Sequence, residues 1–214
     1  MARCIIICPL YEGERLDELR PREGDLLLCA DAGYRQAMRY GLRPDLTIGD
    51  FDTMPVSQTE GAAVEVLPVH KDDTDLGVCL RTGLERGYRS FLLAGCLGGR
   101  LDHTVACLQL MADYAARGCE VEALDAMNAV RVLAPGRYRL SRREGCLLSL
   151  LAFSDAVRGI DLRGTEWELE DAELTSRYPL GISNVILGEA AELSFQEGLL
   201  LVCYAVNRTW HEGA

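Results

Sequence analysis

Four short stretches of this chain set carboxylates beside hydroxyls, glycines and a few cationic side chains. They are Asp31-Ala32-Gly33, Gly49-Asp50-Phe51-Asp52-Thr53, Lys71-Asp72-Asp73-Thr74-Asp75 and Gly98-Gly99-Arg100-Leu101-Asp102-His103. Asp50 and Asp52 stand one residue apart, and in extended backbone such side chains point to the same face. Two like charges held that close call for a cation between them. Mg2+ suits the pair, because it takes hard oxygen ligands, keeps several waters and bridges to substrate phosphates. A solvated turn explains Asp-x-Asp equally well. Thr74 is a good N-cap, and the helix dipole favours Asp75 in a first turn. Capping leaves Lys71 unexplained, and a lysine at a strand end suits a phosphate.

The glycine turn carries the stronger signal. Gly98 and Gly99 permit positive φ and close approach of a ligand to the backbone. The helix start that follows favours anions, and Arg100 offers a fork that clamps a phosphate in two places. Asp102 either caps the helix or holds a metal. Asp31 and Gly33 serve a strand-turn-helix junction or a nucleotide. Taken together, several acidic groups with Lys71 and Arg100 form the layout for Mg2+-assisted transfer from a polyphosphate. In such reactions positioning and charge neutralisation supply most of the catalysis. No Gly-x-Ser-x-Gly elbow, Walker A sequence or Gly-x-Gly-x-x-Gly fingerprint is present.

The elements around these clusters explain their placement. Arg3–Cys8, Asp25–Ala30, Asp45–Ile48, Ala63–Leu67, Ser90–Ala94 and Glu120–Leu124 read as short apolar strands. Helical spacing falls between them, from Gly33 to Tyr40, along Leu76, Cys79, Leu80 and Leu84, and along Leu101, Val105, Leu108 and Ala112. Alternating strands and helices predict a parallel sheet covered on both faces. Each polar cluster follows the carboxyl end of a strand, the edge where open α/β sheets bind ligands. From about Ala129 the texture becomes short runs punctuated by glycines: Val130–Leu133, Arg137–Leu140, Cys146–Ala152, Val157–Leu162, Glu166–Leu169, Val185–Leu187, Ala190–Phe195 and Leu199–Ala205. That pattern predicts a β-sandwich or barrel. The expected division is an α/β domain over residues 1–127 and an all-β sandwich over 128–214.

Composition narrows the functional classes. A net charge of −11 argues against general nucleic-acid binding, which needs a basic footprint. No apolar run is as long as a membrane span. The nine cysteines are an odd number mostly inside apolar runs, which suggests reduced core thiols in a cytoplasmic protein. No C-x-x-C pair or zinc set occurs.

The Asp31-Ala-Gly33, Gly49-Asp-Phe-Asp52, Lys71-Asp-Asp-Thr-Asp75, Gly98-Gly-Arg-Leu-Asp-His103 and Gly181-Ile-Ser-Asn184 stretches resemble, in order and spacing, those of thiamine pyrophosphokinases. The likeness extends over about residues 28–205. It implies transfer of pyrophosphate from ATP to the hydroxyethyl group of thiamine, giving thiamine diphosphate and AMP. It further implies that Asp50, Asp52, Asp75 and Asp102 surround Mg2+ and the phosphates, with Asp75 or Asp102 as the base. Lys71, Thr74, Gly98, Gly99 and Arg100 would meet phosphate, Asp31 and Gly33 the nucleotide, and Ser183 and Asn184 thiamine. The family is dimeric, with an α/β catalytic domain, a β-sandwich domain and the thiamine site between subunits. Trp167 is a candidate to stack on the cationic thiazolium, or else a core or interface residue. This sequence departs from the family pattern at Thr53, at Cys107 and in the opening Cys8-Pro-Leu-Tyr. A pyrophosphokinase for another small alcohol, such as a pterin, would use the same acidic and glycine stretches. A non-catalytic nucleotide-binding module would not need so many mutually repelling carboxylates.

Overall fold

The computed structural model describes residues 1–52, 54–59, 61–69 and 72–207. Backbone contacts divide the chain into two compact units, Met1–Met111 with Cys119–Ala126, and Ala112–Gly118 with Met127–Ala214.

The first unit runs β1 (Cys4–Ile7), α1 (Leu16–Leu19), β2 (Leu26–Ala30), α2 (Gly33–Arg39), β3 (Leu46–Gly49), β4 (Val64–Val66), α3 (Asp75–Glu85), β5 (Ser90–Ala94), α4 (Leu101–Ala116, counted with the second unit from Ala112) and β6 (Glu120–Leu124). Its strands lie in the order β6-β5-β1-β2-β3-β4, every neighbouring pair parallel. β1 and β2 are buried at every position, as strands of a sheet covered on both faces must be. β4 forms the edge and leaves Val66 59% exposed. The chain steps outward from β1 through β2, β3 and β4, then returns to the other side of β1 with β5. This reversal leaves a crevice beyond the carboxyl ends of β1 and β5, where open α/β sheets take their ligands.

The second unit contains β7 (Asn128–Leu133), β8 (Gly136–Ser141), β9 (Cys146–Ala152), β10 (Ala156–Arg163), β11 (Leu169–Thr175), β12 (Gly181–Asn184), β13 (Ala190–Phe195) and β14 (Leu200–Val206). They form two antiparallel arrays, β12-β9-β14-β7 and β11-β10-β13-β8. Inward positions such as Leu148, Leu150, Val157, Ile160, Leu162, Leu193 and Val202 are buried, while intervening residues face outward. The fold is thus an α/β unit followed by an antiparallel β unit, as the sequence texture implies.

Two expected strands differ. Glu166–Leu169 is mostly turn, and the strand is Leu169–Thr175, whose Glu170, Asp171 and Glu173 dilute its apolar signal. Val185–Leu187 holds only a bridge from Ile186 to Thr165, and the strand precedes it as β12. Both are edge strands, where one flank is solvated and an apolar run is not required.

Candidate active site

Gly49 ends β3 under tight constraint. A Cβ there would lie 2.9 Å from both Cα and Cβ of Asp31 at the end of β2. Asp31 is 6% exposed, has φ 42°, and donates its N–H to the Ile48 carbonyl at 2.8 Å. Its Oδ1 finds no hydrogen-bond partner among the described residues. A buried carboxylate oxygen so placed is costly unless something outside the chain meets it.

Past Gly49 the backbone does not stay extended. Phe51 is buried with φ 56°, and the Asp52 N–H donates to Asp50 Oδ1 at 3.3 Å. The alternation rule for a strand therefore does not apply to Asp50 and Asp52. A positive φ in a bulky aromatic costs on the order of 1–3 kcal/mol and persists only where its surroundings fix it. Burial of the Phe51 ring supplies that anchor, and both carboxylates still line one cleft.

At α3, Thr74 is the N-cap and its Oγ1 accepts the Gly77 N–H at 3.0 Å. Asp73 accepts from the Thr74 N–H at 2.8 Å and pairs with Arg81 at 2.6 Å, so it belongs to the helix start. Asp75 in the first turn reaches the cleft.

The turn after β5 has Gly98 at φ 83° and Gly99 at φ 63°, a backbone that glycine adopts without strain. Thr104 clamps it, its Oγ1 accepting the Gly98 N–H and donating to the Gly98 carbonyl, each at 3.1 Å. Arg100 grips Asp102 through both arms, Nη2 to Oδ2 at 2.6 Å and Nε to Oδ1 at 3.1 Å. Asp102 Oδ1 also accepts the His103 N–H at 2.9 Å. The hydrogen bonds from Arg100 hold the Asp102 carboxyl below the usual carboxylate range, and the same pairing raises the Arg100 guanidinium.

The products of these local constraints meet in one cleft of about 470 Å3. Asp31, Asp50, Asp52, Thr74, Asp75, Gly98 and Arg100 all line it. Asp102 is not among the lining residues; its carboxylate lies outward against Arg100. Gly33 serves packing, since a Cβ there would strike the Ile7 carbonyl of β1. Gly99 abuts Leu10, whose Cδ1 would lie 2.9 Å from an added Cβ. Lys71 and Thr53 lie outside the described residues.

Sequence reasoning left His103 without a role and passed over Ala106 and Leu110. All three line the cleft with Cys107, and their spacing along α4 puts them on one helical face. That periodicity is the signal by which they are found.

In the second unit, Asn184 is 8% exposed and fully oriented by backbone. Its Oδ1 accepts from Trp167 N at 3.1 Å and Val185 N at 2.8 Å, and its Nδ2 donates to the Trp167 carbonyl at 2.7 Å. Asn184 thus fixes the Trp167 segment, whose residue stands 58% exposed. Ser183 has φ 63° and donates its N–H to Ser149 Oγ at 3.1 Å.

Carboxylates, a helix start and an arginine fork gather beyond the carboxyl edge of the parallel sheet in the first unit, an α/β domain. Residues 21–123 match the family profile described as thiamin pyrophosphokinase, catalytic domain, and residues 137–200 match thiamin pyrophosphokinase, vitamin B1 binding domain. The chain belongs to the thiamin pyrophosphokinase family and is an enzyme of it. It is 26% identical over 186 residues to the thiamine pyrophosphokinase of Bacillus subtilis, spanning 84% of this chain and 87% of that protein. The crystal structure of a thiamin pyrophosphokinase from Geobacillus thermodenitrificans superposes with TM-score 0.84 at 27% identity, covering 98% of this chain and 99% of that one. The Bacillus subtilis structure shares the fold with TM-score 0.86 at 24% identity over 96% of this chain and 99% of its own.

Proposed function

We propose that the chain transfers pyrophosphate from ATP to the hydroxyethyl group of thiamine, giving thiamine diphosphate and AMP. The observation that carries this reading is the single cleft gathering Asp31, Asp50, Asp52, Thr74, Asp75, Gly98 and Arg100, in a chain of this family. Residues 1–127 would be the catalytic domain and residues 128–214 the thiamine-binding domain.

The donor set fits Mg2+. It offers the hard carboxylate oxygens of Asp50, Asp52 and Asp75 along one cleft. Among the described residues no group of three or more His, Cys, Asp or Glu forms a ready cluster, so phosphate oxygens and water would complete the coordination. Asp50, Asp52 and Asp75, which line the cleft, are assigned to the ion and the phosphates around it, and Asp102 would join them when phosphate draws Arg100 away from it. Mg2+, when bound, neutralises charge on phosphate oxygens.

The remaining work falls to the chain's own residues. The thiamine hydroxyl oxygen bonds to the β-phosphorus of ATP as the bond to the AMP oxygen breaks. Asp75 or Asp102 accepts the hydroxyl proton. Arg100, Lys71 and the Gly98-Gly99 turn hold phosphate charge, and Thr74 presents the start of α3 to it. Asp31 and Gly33 are assigned to the nucleotide, Gly33 through the close packing of α2 on β1.

Ser183 and Asn184 are assigned to thiamine, Asn184 by holding Trp167 toward the thiazolium. We further assign a homodimer with thiamine at the subunit interface. Trp167, Tyr178, Leu180, Ile182 and Leu187 are large apolar side chains, each more than half exposed within one stretch of the second unit, which supports a protein-covered surface there. Nine free cysteines support a reducing, cytoplasmic setting. No helix among the described residues is long and apolar enough to cross a membrane.

Incubation of the protein with ATP, Mg2+ and thiamine, a pterin alcohol or no acceptor tests the reaction. AMP is expected with thiamine only. ADP as the sole nucleotide product would overturn pyrophosphoryl transfer, and AMP with the pterin alone would reassign the acceptor.

A further inference from the structure

The loop that carries Asp50 and Asp52 runs from the end of β3 to β4, an edge strand of three residues. Little sheet holds it, and its two carboxylates repel one another. Buried groups fasten it instead. The Phe51 and Met54 side chains are buried, and past them a single 3-10 turn, Val56–Gln58, ends at Thr59. The Tyr34 hydroxyl on α2 donates to the Thr59 carbonyl at 2.8 Å, and both residues are buried. Tyr34 also serves the neighbouring strand end, its N–H donating to the Asp31 carbonyl at 3.1 Å. Gly49, where the loop begins, packs against Asp31 in turn. One residue thereby ties Asp31 to the far end of the loop bearing Asp50 and Asp52, and all three carboxylates line the cleft. Arg35 adds a second link, its Nη2 and Nε donating to Gln58 Oε1 at 2.6 and 3.1 Å. That link is exposed to water, where a hydrogen bond is worth less than in the interior.

We propose that Tyr34 is a positioning residue for Asp50 and Asp52: its hydroxyl, through the Thr59 carbonyl, holds their loop against α2, with Arg35 as a weaker second tether. The role rests on the reading of these carboxylates as holders of a divalent cation and phosphate. Two like charges relax apart when their support loosens, and a site is effective only while its supporting contacts keep it close to the productive geometry. Loosening lowers the fraction of molecules with both carboxylates in place, and the apparent affinity for the cation falls by that fraction. Tyr34 touches neither cation nor phosphate in this scheme; it acts through the loop.

Mn2+ shares the preference of Mg2+ for carboxylate and water oxygens, and its electron paramagnetic resonance signal reports the free ion. Whole protein is titrated with Mn2+ and α,β-methylene-ATP, which lacks the bond the reaction breaks, with correction for ion held by the analogue alone. Tyr34→Phe keeps the ring and removes one hydrogen bond, and is expected to weaken Mn2+ binding roughly 2- to 10-fold. Tyr88→Phe removes a similar bond, to the Gly24 carbonyl at the amino end of β5, and should leave it native. In an Asp52→Asn background the loss of the Tyr34 hydroxyl should have a smaller effect, because the two act as a unit. Native Mn2+ affinity in Tyr34→Phe, or an undiminished effect beside Asp52→Asn, overturns the positioning role even if the melting temperature falls. Native affinity in Asp52→Asn alone overturns the cation reading and the positioning role with it. If Tyr34→Phe lacks a cooperative thermal transition, Arg35→Ala loosens the same turn from the surface and takes its place, with weaker Mn2+ binding expected and native binding overturning the role.

Discussion

Replacing Asn184 with alanine removes three hydrogen bonds at once, two accepted by Oδ1 and one donated by Nδ2. Each is worth roughly 0.5–1.5 kcal/mol net, and the Trp167 N–H and carbonyl lose their side-chain partner in a partly buried setting, so the loss sums to about 3 kcal/mol. For a protein of this size each kcal/mol shifts the thermal midpoint by roughly 2–4 °C, which gives a fall of about 6–12 °C. The chemical consequence follows from what those bonds hold. Trp167 keeps its ring but loses its fixed backbone, so the KM for thiamine should rise while the KM for ATP stays close to native. Calorimetry of Asn184→Ala, with initial rates over both substrates, measures the two parts separately. A midpoint shift below about 2 °C would show that the three bonds do not stabilise the segment as argued. Equal increases in both KM values would detach Asn184 from the acceptor.

Three further outcomes can be measured. Gly49→Ala sets a Cβ 2.9 Å from Asp31 Cα, a backbone atom that cannot swing aside. It should cost about 1–3 kcal/mol and lower turnover by displacing Asp31; a variant native in both melting and rate refutes the constraint. Asp52→Ala should abolish AMP formation while the thermal transition persists, and native turnover would remove Asp52 from the site. Burial alone would raise the Asp25 carboxyl, but hydrogen bonds from Arg3 and Arg22 outweigh it and leave it below the ordinary value. A depressed folded-state value contributes stability above the unfolded-state value and loses it as pH falls through the folded one. Asp25→Asn should therefore be less stable than native at pH 7, with the gap closing as pH drops below about 4. A gap of constant size down to acid pH would refute the pairing.

Much of the fold was legible because parallel strands buried on both faces read as unbroken apolar runs. Cys4–Ile7, Leu26–Ala30 and Ser90–Ala94 fall where the sequence places them, within a residue or two. The edge strands were not legible, because β11 carries Glu170, Asp171 and Glu173 and no periodic apolar face marks it. At the cleft, the carboxyl-edge rule locates Asp31, Asp50, Asp52 and Asp75 correctly. It says nothing about pairings between neighbours. The direction of Asp102 follows from Arg100 two residues earlier, and the role of Asn184 from a backbone segment seventeen residues away. The extended geometry expected around Asp50 fails at Phe51, where a buried ring fixes a conformation that local preference opposes.

The Arg100–Asp102 clamp sets a condition on what the cleft retains. The guanidinium already holds a carboxylate through both arms, so any anion that recruits it enters an exchange with an internal competitor. A polyphosphate carrying several charges is well equipped to win that exchange. A product left with a single phosphate has much less to offer, and Asp102 can reclaim the arginine as that product departs. Under the proposed reaction, the carboxylate beside the fork acts as a return spring that favours turnover over product retention.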